Sequence, residues 1–189
     1  LGLVTKSSVY IALPLVLAAI LARRLWLDKP SPSPAKGLRD AALYLLPALV
    51  MALPWWLRNV AHYGGLDFLG LGRHDQVVAG QLRTADFVAA IGMVQLVRDL
   101  FLTSFRSFWG QFGWMGVLLD ERIYQALAIL SALALVGFGL FALRTWRQRG
   151  TLPTWQWAAG AILALSGVLS VGGYLWYNMQ FLQHQGRYL

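Results

Sequence analysis

The run 123-IYQALAILSALALVGFGLFAL-143 decides the fold. It holds no charged residue, and its length matches the roughly 20 apolar residues that an α-helix needs to cross a bilayer's hydrocarbon core. Its ends are written as firmly as its middle. Asp120 stands where an N-cap belongs and Glu121 falls in the first turn, where the helix dipole favours a negative charge. Arg144, Arg147 and Arg149 close the other end.

Working outward, three more stretches read the same way, at about residues 3–22, 38–57 and 155–177. The first stops at Arg23-Arg24. The second contains Pro47 and Pro54, tolerable in a spanning helix because neighbouring groups re-satisfy the freed carbonyls, and it ends on Trp55-Trp56 at an interface position. The last carries Trp155, Trp157, Tyr174, Trp176 and Tyr177 at its ends and Gly160, Gly167, Gly172 and Gly173 within, which permit close helix packing in lipid. Over all 189 residues, 58% are hydrophobic and 13% charged, against about 45–50% and 25% in a soluble domain, so there is too little polar surface to cover a water-soluble globule. Disorder is excluded by the same hydrophobicity. The expected architecture is therefore all-α and polytopic: a single membrane domain over residues 1–189, with about four spans and one long loop.

The net charge of +8 is distributed as a topology signal. Around the Pro/Ser linker at residues 23–37, Arg23, Arg24, Lys29, Lys36 and Arg39 face Asp28 and Asp40, a surplus of three; Arg144, Arg147 and Arg149 add three more with no acid. The connection at 58–120 and its edge balance six arginines against six acids. By the positive-inside rule, residues 23–37 and 144–153 are expected in the cytoplasm and loop 58–120 outside the cell membrane. No basic, aromatic-laced face remains for nucleic acid. There is no cysteine, hence no disulfide framework. The chain opens within an apolar stretch at Leu1 and closes at Gly186-Arg187-Tyr188-Leu189, which reads as an internal piece of a longer protein.

Loop 58–120 divides in two. Residues 58–83 are glycine-rich and expected to be irregular, and they concentrate Arg58, Asn59, His62, Tyr63, Asp67, Arg73, His74 and Asp75. Residues 84–109 read as one amphipathic helix, with Phe87, Ile91, Val94, Phe101, Phe105 and Phe108 on one side and Gln95, Asp99 and Arg106 on another. Such a helix either lies flat on the outer leaflet or packs on the protein's own spans. His62 and His74 are twelve residues apart with no further ligand at helical spacing, so no metal site is expected, and no phosphate-binding or dinucleotide glycine pattern calls for a cofactor. Asp67 and Asp75 are available as a carboxylate pair, but solvated loop acids look the same. Arg58, at the water end of a span, is placed to meet a lipid phosphate, which guanidinium binds in a bidentate manner.

Several segments resemble a known group. Pro54-Trp55-Trp56-Leu57-Arg58-Asn59 followed by His62-Tyr63-Gly64-Gly65-Leu66 is similar to a Trp-x-Arg-Asn…Tyr-Gly-(Asp/Asn)-Pro segment of bacterial multi-pass glycosyltransferases of the C-type membrane fold, which resemble the protein O-mannosyltransferase family. Ser107-Phe108-Trp109-Gly110-Gln111-Phe112-Gly113-Trp114-Met115 resembles a Phe-Trp-Gly-x-Phe-Gly-Trp segment of related bacterial membrane proteins. Gln185-Gly186-Arg187-Tyr188-Leu189 resembles the opening of a later outer-side helix in both groups, and Thr5-Lys6 near the start of a helix also recurs in them. Here Gly65 stands where the family has an acid or Asn, with Asp67 two residues on. The resemblance implies transfer of a sugar from a polyprenyl-phosphate donor to an acceptor on the outer face, with the bilayer and that lipid-linked donor as partners. The family's catalytic acid lies in an earlier outer loop, so no catalytic residue is assigned in this chain. Arg58, Arg73, His74, His184 and Arg187 are the candidates for holding the lipid phosphate, with Arg58 and Arg187 first. A transporter or flippase component, or a non-catalytic multi-pass protein, would share this topology; against transport, no span carries an acid in its middle.

Overall fold

The computed structural model describes residues 7–28, 33–78, 80–113 and 115–188. Thr5-Lys6, residues 29–32 of the Pro/Ser linker, Trp114 and Leu189 lie outside them. Among the described residues are seven α-helices, and four helical stretches are long and apolar enough to cross a membrane: Val9–Leu27, Pro34–Tyr63, Glu121–Arg147 and Thr154–Gln180. The protein is an all-α membrane protein, as its apolar runs require. Few side chains in these stretches are buried by protein, and the most apolar part of Glu121–Arg147 buries none. That pattern suits a solvent as apolar as the side chains themselves. The helices fall into two compact units, one formed by Leu1–Gln81 with Pro153–Leu169 and the other by Leu82–Leu152 with Ser170–Leu189.

In the first unit, a 3-10 turn (Ser7–Ile11) leads into α1 (Ala12–Ala22), which ends in a π-helical turn over Arg23–Leu27. Helix α2 (Pro34–Tyr63) starts within the linker that the composition marks as irregular. The local reason is a cap: the Ser33 side chain accepts from the Lys36 N–H at 3.4 Å, and Pro34 occupies the first turn, where its missing N–H costs nothing. Arg24 ties the two helices together. Its Nε and Nη2 donate to Asp40 Oδ2 at 2.8 and 2.5 Å, and its Nη1 donates to Asp28 Oδ2 at 2.5 Å. Near the other end the Trp56 indole donates to Tyr10 Oη at 3.0 Å.

Helix α2 runs six residues past Leu57, the expected end of the span. Polar residues mark where the apolar medium stops, whereas the helix stops at Gly64 and Gly65, whose φ of 77° and 61° lie in the left-handed region. A further short helix, α3 (Leu71–Val77), interrupts the segment expected to be irregular.

In the second unit, the expected single helix over 84–109 is two helices, α4 (Thr84–Ile91) and α5 (Met93–Gly110). Gly92 separates them with φ 103°, a value outside any helix. A small hairpin follows, pairing β1 (Gln111–Phe112) with β2 (Val117–Leu118). Helix α6 (Glu121–Arg147) has Asp120 as its cap, the carboxylate accepting from the Arg122 N–H at 2.9 Å, as its sequence demands. Helix α7 (Thr154–Gln180) ends in this unit, and the chain after it runs back along α5 to a 3-10 turn at Gly186–Tyr188.

Candidate functional site

The first unit holds an open indentation of about 230 Å³, lined by Trp55, Asn59, Tyr63, Leu69, Gly70, Arg73, His74 and Val77. The i, i+4, i+8 spacing of Trp55, Asn59 and Tyr63 puts all three on one face of α2. The opposite wall is α3 and the turn before it. Three local devices hold that wall in place. The Asn59 amide, almost completely buried, donates to the Phe68 carbonyl at 2.9 Å. Phe68 meets Trp56 edge to face, with ring centroids 5.8 Å apart. The Asp67 carboxylate then caps α3, accepting from the Gly72 N–H at 3.1 Å and the Arg73 N–H at 2.8 Å. The Arg73 N–H, with those of neighbouring residues, holds the Asp67 carboxyl below its ordinary pKa against the opposing effect of desolvation. Gly70, at φ 73°, allows the turn to pass close to Tyr63, whose ring would stand 3.3 Å from any added Cβ.

These devices bring together three of the five candidate cations. Arg73 and His74 line the indentation. Arg58 stands at its edge, exposed, with its guanidinium 4.9 Å from the Trp55 ring centroid and donating to Asn59 Oδ1 at 3.3 Å. Two cations and an imidazole beside two aromatic rings can receive an anionic group and present a ring face to a neighbouring sugar or apolar group. Asp67 is engaged in holding α3. Among the described residues no group of three or more His, Asp or Glu gathers at metal-binding distance.

His184 and Arg187 belong to the second unit. His184 is buried, its Nδ1 hydrogen-bonded to Asn178 Oδ1 at 2.8 Å. Asn178 Nδ2 donates to the Tyr174 carbonyl, and Asn178 Oδ1 also accepts from the Gln183 N–H, so the amide orientation makes His184 Nδ1 the donor. Nε2 is then the free acceptor, and it has no partner among the described residues. Burial lowers the pKa of this imidazole, with Asp99 pulling the other way. Arg187 is exposed on the terminal 3-10 turn.

The cluster around this turn carries no motif of its own in the sequence. The Ser107 hydroxyl, buried on α5, donates to the Thr103 carbonyl at 2.6 Å and accepts from the Gly186 N–H at 2.6 Å. Ser104 Oγ is hydrogen-bonded to the Tyr174 hydroxyl, and Thr84 Oγ1 donates to the Asn178 carbonyl at 2.7 Å. Apart from the Thr103 carbonyl, each partner lies at least 70 positions away along the chain, and no spacing rule links them.

Fold and composition define a membrane protein with four helices able to span. Comparison with protein-family models, curated proteins and solved structures returned no match.

Proposed function

We propose that this chain is part of an integral-membrane glycosyltransferase of the cell membrane, moving a sugar from a polyprenyl-phosphate donor to an acceptor on the outer face. In this reading loop 58–120 lies outside, and residues 23–37 and 144–153 lie in the cytoplasm. The observation that carries the reading is the indentation at the end of α2, where Arg73 and His74 meet Trp55 and Tyr63 just beyond the apolar stretch of a spanning helix. A lipid phosphate comes to rest at that level of a bilayer. Of the motif Trp56-Leu57-Arg58-Asn59, by which the chain resembles such enzymes, Asn59 lines the indentation.

In the reaction the bond between the sugar's anomeric carbon and the phosphate oxygen breaks, and a bond to the acceptor oxygen forms. The acceptor proton passes to a carboxylate base outside this chain, and the leaving polyprenyl phosphate takes up negative charge. Arg73 and Arg58 stabilise that charge, and the Trp55 and Tyr63 rings support the adjoining sugar. Arg73→Ala and Arg58→Ala, made separately in the full-length protein, test this. Each is expected to raise the donor concentration for half-saturation about tenfold or more, from the loss of a charge-assisted hydrogen bond. Unchanged donor saturation in both removes the indentation from the donor site. A cysteine at Ser33 tests the orientation, since the chain has no background thiol. Labelling from outside by an impermeant reagent would invert it.

A further inference from the structure

Helix α5 has its polarity inside out. At 100° per residue, Val94, Val97, Phe101 and Phe108 share an arc of about 60°, whereas Thr103, Ser107 and Gly110 lie about 100–160° round the helix. In a water-soluble protein the apolar arc would be buried and the serine would face water. Here Ser107 and Gly110 are buried, and the terminal turn Gly186–Tyr188 packs against α5. The apolar arc is open, with Val94 86% and Phe101 72% exposed, and Phe112, Val117 and Leu118 of the following hairpin are exposed as well.

The depth of this face is fixed by what holds the end of α5. Arg106 Nη2 donates to Glu121 Oε2 at 2.8 Å, and the Tyr124 hydroxyl donates to the Gly110 carbonyl at 2.6 Å while accepting from the Leu119 N–H at 3.1 Å. Glu121 is the first residue of α6, and the charge-free stretch of α6 begins at Ile123. The end of α5 is therefore clamped at the level where α6 passes from charged to apolar, which is the surface of the hydrocarbon. Helix α5 is not itself among the helices apolar enough to span, and it carries Arg98, Asp99 and Arg106.

We propose that α5 and the hairpin after it form a monotopic membrane-binding surface. In this arrangement Val94, Val97, Phe101 and Phe108 are seated at the headgroup–acyl boundary of a phospholipid leaflet, and the Gly186–Tyr188 turn packs on the adjoining flank of α5, at Ser104 and Ser107. The occupant is lipid because the face is apolar and its helix is tied to the start of a span by hydrogen bonds, that from the Tyr124 hydroxyl to the Gly110 carbonyl being buried. It does not depend on the enzymatic reading.

The test uses the full chain in phosphatidylethanolamine/phosphatidylglycerol vesicles, with single cysteines at positions 94, 97, 101 and 108 carrying a nitroxide. Gln148 serves as the aqueous control and Leu133 as the lipid control. All four sites are expected to collide more with oxygen than with a water-soluble nickel complex, at a depth of about 5–10 Å. Nickel accessibility like that at Gln148 overturns the proposal, and shielding from both reagents overturns it in favour of a protein partner. A carbene photolabel dissolved in the lipid provides a measurement on the unsubstituted chain. Labelling of the tryptic peptide between Arg98 and Arg106, which contains Phe101, supports the proposal, and its absence overturns it.

Discussion

Replacing Gly186 by alanine should release the end of the chain from α5. The backbone of Gly186 does not have the positive φ that favours glycine, so conformational strain is not the cause. The cause is space. An added Cβ falls on the Ser104 carbonyl oxygen and stands 2.9 Å from both the Ser104 carbonyl carbon and Phe108 Cβ. The oxygen is helix backbone and cannot rotate away. Overpacking of this kind costs about 1–3 kcal/mol. If the turn lifts to relieve it, the 2.6 Å bond from the Gly186 N–H to Ser107 Oγ is lost, leaving buried groups short of a partner at about 1–3 kcal/mol. The two are alternatives in part, so a net cost of about 2–4 kcal/mol is expected, a factor of about 30 to 700 in local opening. Hydrogen exchange at residues 182–188, measured in detergent or nanodiscs, reads that opening directly. Gly160→Ala is the internal control. Nothing lies within 4 Å of its added Cβ, and a mid-helix alanine should be neutral or stabilising by up to about 1 kcal/mol. Wild-type protection in Gly186→Ala would refute the reasoning, since it would mean that the α5 backbone yields at no cost.

Other perturbations have equally local causes. His184 has a lowered pKa in the folded chain, so the unfolded segment takes up the proton first. Docking of residues 182–188 should be strongest above the ordinary histidine value of 6.5 and weaken as pH falls from there toward the folded value, an effect that His184→Gln should abolish in the same exchange experiment. Asp67→Ala should fray α3 and accelerate exchange at the Gly72 and Arg73 amides, whereas Asp67→Asn, which keeps one acceptor oxygen, should do so less. In the wild type the same fraying should set in only in acid, below the ordinary aspartate value of 3.8, because a lowered carboxyl pKa loses its contribution as pH falls through it. Arg24→Lys should loosen the α1–α2 pair nearly as much as Arg24→Met, since a single ammonium cannot fork between Asp40 and Asp28; distance measurements between spin labels on the two helices would show it.

What was legible in the sequence follows from which interactions are local. Spans announce themselves because each residue meets lipid independently, so a 21-residue charge-free run is sufficient, and the Asp120 cap could be read because it acts across two positions. Ends and breaks were harder. Arg58 and Asn59 look like the end of a helix to a hydropathy argument, yet helix propensity carries α2 on to the glycine pair at 64–65. Gly92 sits in an amphipathic pattern that tolerates it on paper, and only its positive φ shows that the pattern belongs to two helices. Helix α3 depends on the Asp67 side chain reaching five and six residues ahead, beyond the usual capping distance. The candidate cations were visible as residue types. That Arg73 and His74 share a wall with Trp55 is a consequence of the Asn59–Phe68 and Trp56–Phe68 contacts, which no periodicity announces.

The six residues by which α2 outlasts its apolar stretch have a consequence for how its site is filled. They raise the helix by about 9 Å, comparable to the roughly 5–7 Å of headgroup layer on each side of a bilayer. In the placement proposed for α2, the indentation between α2 and α3 spans the headgroup layer from Trp55 to Tyr63. A ligand with a lipid tail reaches it by lateral diffusion in two dimensions, so its occupancy follows the mole fraction of that lipid in the membrane. Diluting the vesicles with buffer should leave such binding unchanged, and diluting them with inert lipid should titrate it away.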